Sequence, residues 1–126
     1  MYLDYEQYTK MGGTLDTSAF SQFERRAESL INAQASGKTG TRIAELGEIP
    51  TAITGCVFDL IDHLQQCKDN PVTSESQTLG GQSETYSYAT MTVEQQNEVA
   101  DNIIYNAFFG GGIGYLLYRG VAKANA

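Results

Sequence analysis

Ser18-Ala19-Phe20-Ser21-Gln22-Phe23-Glu24-Arg25-Arg26-Ala27-Glu28-Ser29-Leu30-Ile31-Asn32-Ala33-Gln34-Ala35 decides the fold. Its apolar residues Phe20, Phe23, Ala27, Leu30 and Ile31 recur at helical spacings, while Glu24, Arg25 and Glu28 fall largely elsewhere. That is the period of an amphipathic helix rather than the alternation of a strand. The same pattern returns twice. From Pro50 to about Lys68, Ile53, Val57, Leu60, Ile61 and Leu64 form an apolar stripe bordered by Cys56 and Cys67. From Thr92 to about Phe109 the stripe is Val93, Val99, Ala100, Ile103, Ile104 and Ala107. Three such segments predict a mainly α fold: a small helical bundle of three main helices plus short ones.

The punctuation between these segments supports the reading. Asp16, Thr17 or Ser18 can cap the first main helix by accepting a bond from an unpaired backbone amide. Pro50 suits the first turn of the second, where its missing N–H costs nothing. Thr92 and Gln95 make a capping box for the third. A short opening helix over Asp4 to Met11 ends at Gly12-Gly13 and puts Tyr5 and Tyr8 on one side. Ser36 to Gly40 breaks the pattern, and Ile43, Leu46 and Ile49 fit a short helical turn before Pro50. Gly110-Gly111-Gly112 ends the third helix, leaving residues 110–126 as a C-terminal tail segment with a short amphipathic stretch, Ile113 to Val121.

The chain has 126 residues, 41% of them hydrophobic, and a mean hydropathy of −0.30, which predicts one domain spanning 1–126. No apolar run approaches the roughly 20 residues of a membrane span. Asp4 and Glu6 stand where a secretory signal carries positive charge, so the expected compartment is the cytoplasm until assembly. Fifteen acids against eight bases give a net charge of −7, which opposes binding to a polyanion. Cys56 and Cys67 share one helix about 16 Å apart along its axis, too far for a disulfide, and read as reduced core thiols.

Motifs that invite an enzymatic reading fail on context. Gly37-Lys38-Thr39 lacks the earlier glycine of a phosphate loop and follows a helix, so it reads as a polar interhelical turn. Gly110 to Gly114 has Tyr115 where a dinucleotide loop needs its third glycine, and reads as a helix stop and close-packing site. His63 can reach Asp59 one turn back, but no nucleophile is placed beside them, so a solvated or capping histidine is expected. One histidine and two distant cysteines do not make a metal site. No cofactor and no catalytic residue is predicted.

The polar stretch Thr73 to Ala89, after Asn70-Pro71, is long for a compact domain. Within this extended loop Ser83, Thr85 and Ser87 alternate with Glu84, Tyr86 and Tyr88, the period of a strand or hairpin. A lone strand needs a hairpin partner or another subunit's edge. Tyr86, Tyr88, Tyr115, Tyr118 and Arg119 are of the types enriched at protein interfaces, and with Ser83, Glu84 and Thr85 they make the candidate interface. For Tyr115, Leu116 and Leu117, core packing and interface both remain open. Glu94, Glu98 and Asp101 line one helix face, by default a solvated one.

The ordering Ser74-Glu75, Gly80-Gly81, Ser83-Glu84-Thr85-Tyr86, a spacer helix, then Gly112-Ile113-Gly114-Tyr115-Leu116-Leu117-Tyr118-Arg119-Gly120-Val121 resembles the ending of the head-tail connector, or head-completion, family of long-tailed bacteriophages and prophages. Glu84 stands where that ending usually has an apolar residue, and Ile113-Gly114-Tyr115 departs from its Gly-Thr-Gly. The resemblance covers roughly the last 50 residues; the N-terminal half agrees in helix order and its tyrosine-rich opening.

The resemblance implies a structural virion protein, not an enzyme, that forms a homo-oligomeric ring between portal and tail. Such a ring completes the head and offers the tail or a stopper protein its attachment surface. DNA would pass through the channel without sequence-specific binding, and the acidic face of Glu94, Glu98 and Asp101 would look into that lumen. The implied location is the head–tail junction of the virion, after synthesis in the host bacterial cytoplasm. The composition alone equally fits a small acidic helical adaptor or regulator from a mobile element, and more remotely a hydrolase using His63 and Asp59.

Overall fold

A computed structural model describes residues 1–69 and 91–118. The chain is mainly helical, a small bundle of three main helices with short ones attached. In order these are α1 (Tyr5–Lys10), α2 (Thr17–Asn32), a tight turn over Gln34–Gly37, α3 (Lys38–Ala44), α4 (Thr51–Asp69), α5 (Val93–Gly110) and a 3-10 turn over Gly114–Leu117. Among the described residues there is no strand. The strand or hairpin expected within Thr73 to Ala89 falls outside them.

Local chemistry sets the helix starts. The Asp4 carboxylate accepts from the Gln7 amide at 2.7 Å while the Gln7 side chain accepts from the Asp4 amide, a capping box not anticipated for α1. Of the three candidates for α2, Asp16 is the cap, accepting from the Ala19 amide at 2.8 Å. The box of Thr92 and Gln95 opens α5. Pro50 sits just outside α4 rather than in its first turn, and its carbonyl accepts from the Ile53 and Thr54 amides.

α4 is the central element, packing on both α2 and α5. Phe20, Ala27 and Ile31 of α2, Ile53, Val57 and Leu60 of α4, and Ile104 and Phe108 of α5 are buried in one core with Leu3, Ile43 and Leu116. Each such large side chain contributes about 1.5–3 kcal/mol through removal of apolar surface from water. Tyr5 and Tyr8 both pack on Phe20, with ring centroids 5.4 and 4.9 Å away. The Tyr8 hydroxyl oxygen accepts from the amides of Thr14 and Leu15, while Tyr5 donates to the Leu15 carbonyl. The opening tyrosines thereby tie α1 to the chain entering α2.

The break after α2 is a left-handed turn. Ala35 (φ 55°), Ser36 (φ 59°) and Gly37 (φ 90°) lie consecutively in that region, at a cost of roughly 1–2 kcal/mol for each of the two residues with a Cβ. This turn corrects the reading of Gly37-Lys38-Thr39 as an interhelical turn: only Gly37 belongs to it. Lys38 and Thr39 open α3, and Thr39 is fully buried because its hydroxyl donates to the Leu116 carbonyl at 2.8 Å. That partner lies 77 positions away, beyond the reach of any local pattern.

Candidate functional site

The last two described elements carry the surface that stands out. Along α5, Glu94, Glu98, Asp101, Tyr105 and Phe109 are all exposed. At 100° per residue these five fall within an arc of roughly 80°, so they form one stripe, acidic toward the helix start and aromatic toward its end. Tyr105 and Phe109 are 46% and 63% exposed, with ring centroids 5.6 Å apart. A Cβ on Gly114 would lie 2.3 Å from the Phe109 ring, so that ring rests directly on the Gly114 backbone. Tyr115 follows at 62% exposure and Tyr118 at 56%. Exposed aromatics thus stand on both the end of α5 and the C-terminal turn that follows it.

The C-terminal turn stands on a fixed base. Gly111 and Ile113 donate their amides to Ala107 and Phe108 carbonyls, closing the end of α5, and Leu116 and Leu117 are buried beneath. Arg42 of α3 donates through Nη1 to the carbonyls of Leu116 (3.1 Å) and Tyr118 (2.6 Å), beside the Thr39 bond to the same Leu116 oxygen. A guanidinium and a buried hydroxyl from one helix therefore clamp the turn that presents Tyr115 and Tyr118. Nothing in the sequence marks Arg42, and Thr39 stands out there only as part of a polar interhelical turn. The question left open for Tyr115, Leu116 and Leu117 divides cleanly: the two leucines are core, and the tyrosine is surface.

Glu94, Glu98 and Asp101 do share an exposed face, and Asp101 accepts from the Gln34 side-chain amide at 3.2 Å, which ties the strained turn to α5. Of the remaining candidate interface residues, Ser83, Glu84, Thr85, Tyr86, Tyr88 and Arg119 lie outside the described residues.

His63 is neither solvated nor a cap. It is 2% exposed, and its Nε2 lies 2.9 Å from the Gln96 carbonyl oxygen of α5. A carbonyl only accepts, so Nε2 carries the hydrogen and the ring is a satisfied α4–α5 tie. Burial lowers its basicity, while the Gln96 carbonyl and the charge of Asp62 act in the other direction. It lines both a cleft of about 490 Å³ that includes Asp59, Asp62 and Asn106 and one of about 320 Å³ that includes Arg26, Cys67 and Asn97.

Burial pushes the Cys56 thiol up to about 12, with a further rise from Asp59, and raises Cys67 as well, with Arg26 acting against it. Both thiols are free and stay protonated at neutral pH, the opposite of an activated nucleophile. Cys56 is a core thiol as expected, whereas Cys67 is only half-buried, its Sγ 3.6 Å from His63 Nε2.

Among the described residues, no cluster of three or more His, Cys, Asp or Glu is placed to hold a metal ion, and no helix is long and apolar enough to cross a membrane. Compared with known proteins, the chain matches no family model, no curated protein and no solved structure.

Proposed function

We propose that this chain is a structural virion protein that assembles as a ring between the portal and the tail of a long-tailed phage or prophage, completing the head and offering the tail or a stopper its attachment surface. The observation that carries the reading is the set of exposed aromatics: Tyr105 and Phe109 on the spacer helix, and Tyr115 and Tyr118 on the following segment whose sequence resembles the connector ending. Large aromatic side chains exposed side by side on a clamped backbone bury area on docking with little loss of conformational freedom, which is how interface anchors work.

The stripe on α5 gives the two ends of the helix different tasks. From Glu94 to Phe109 the axis runs about 22 Å at 1.5 Å per residue, enough for one end to face a lumen while the other meets a neighbouring subunit or the portal. In this arrangement the acids of Glu94, Glu98 and Asp101 repel the phosphates of passing DNA and let it slide without being gripped. No bond is made or broken in such a role.

Light scattering tests the proposal with the protein alone and then mixed with a portal ring from the same genome. A ring-sized mass, alone or on the portal, is the expected result. A chain that stays monomeric and ignores the portal would overturn the reading in favour of an acidic helical adaptor.

A further inference from the structure

The N-terminal segment is held to α2 by a contact that ordinary ion pairing does not explain. The Tyr2 amide lies 3.0 Å from Glu24 Oε2 and 2.7 Å from Glu28 Oε2, so two carboxyl groups one helical turn apart converge on a single N–H. The Leu3 amide donates to the same Glu24 oxygen at 3.3 Å, and the Tyr2 hydroxyl is bonded to the Asn32 side-chain oxygen. Glu24 is 2% exposed, and the Leu3 side chain is fully buried in the core.

Two carboxyl groups converging on one N–H, Glu24 buried and Glu28 half-buried, do not both ionise at little cost, which favours one proton shared between them. We propose that Glu24 and Glu28 form a proton-operated latch: with one proton shared between them they hold the Tyr2–Leu3 segment against α2, and with that proton lost they let it go. Release frees an apolar anchor, Leu3, and uncovers the socket that it fills.

The direction follows from which groups face the pair. Burial, the hydrogen bond to Glu28 and the charge of Glu28 together push Glu24 up to about 7, while the Tyr2 and Leu3 amides pull it down. Glu28 is held below its usual range by its hydrogen bond to Glu24, the Tyr2 amide and the amino group of Met1, which overcome the effect of burial; that amino group is 3.7 Å from Glu28 Oε2. The Tyr2 phenol is raised by burial and by Glu28, which keeps it protonated throughout the range concerned.

The docked state therefore holds a proton that the released state gives up between the ordinary carboxyl range and about 7. Docking is favoured below that window and weakens as pH rises through it.

Methyl NMR on the full chain, with leucines labelled, tests the latch. The Leu3 methyl signals are expected to leave their buried positions as pH rises from the ordinary carboxyl range to about 7, with little further change above it, while those of Leu60 and Leu116 stay in place. Glu24→Gln, which is neutral at every pH, is expected to keep Leu3 buried through pH 9. Should that variant fail to fold, Glu28→Gln, which removes the hydrogen bond and charge that raise Glu24 but leaves its burial, is expected to reduce the movement. The carboxyl carbon signal of Glu24 in the unaltered chain provides a check that needs no variant. Leu3 signals that stay put to pH 9, the same movement in the Gln variants, or a Glu24 signal titrating in the ordinary carboxylate range would each overturn the proposal.

Discussion

At the scale of single residues, the decisive groups are polar side chains whose partners lie far along the chain. Arg42 is the clearest. Its two bonds, both donated by Nη1, to the carbonyls of Leu116 and Tyr118 hold the C-terminal turn, and a lysine side chain ends one atom short of where Nη1 makes them. Arg42→Ala is expected to cost about 1–2 kcal/mol in urea unfolding, the lower part of the range for charge-assisted bonds because one of the two is exposed. Arg42→Lys should recover less than half of that loss. The sequence offered no sign of this role, since an arginine on a short helix looks the same whether it meets water or two carbonyls. His63 failed for the same reason: Asp59 and Asp62 nearby point to a solvent-facing group, while the carbonyl that satisfies it comes from α5.

At the scale of elements, the starts of the helices were far more legible, because a cap and its helix are neighbours in sequence. The Thr92–Gln95 box was read directly, and Asp16 was among the candidates for α2. The glycine run after α5 was read as a helix stop and close-packing site, and the packing partners now distinguish its members. A Cβ on Gly111 would lie 2.4 Å from that of Ala52 on α4, whereas one on Gly110 would meet nothing within 4 Å. Gly111→Ala is therefore expected to lower stability by about 1–3 kcal/mol through forced separation of α4 and α5. Gly110→Ala is expected to be neutral or to stabilise by up to about 1 kcal/mol through helix propensity. Thermal unfolding of the two variants side by side checks the pair.

For the whole molecule, the question is what the exposed aromatics do beyond folding. Tyr105 and Phe109 are exposed, so replacing both with serine should change stability by less than about 1 kcal/mol. If these aromatics are the docking surface, the same double variant should lose association with the portal ring or with its own copies while keeping its helical circular dichroism. Undiminished assembly by that variant, measured by sedimentation, would place the contact elsewhere on the protein.

The sequence by itself determined the helical class, the three long amphipathic segments and most of their ends, because periodicity, caps and glycine stops act between residues a turn or two apart. It also exposed the acidic face of Glu94, Glu98 and Asp101, which helix geometry alone puts together. Only the tertiary structure decided which of the tyrosines are surface and which are core, that Thr39 and Arg42 grip the C-terminal turn, and that Glu24 is a buried acid rather than one more charge on a solvated face. Those outcomes depend on contacts between segments 20 to nearly 80 residues apart. They are settled by how the helices pack, since burial changes both what a polar group must bond to and whether it keeps its charge.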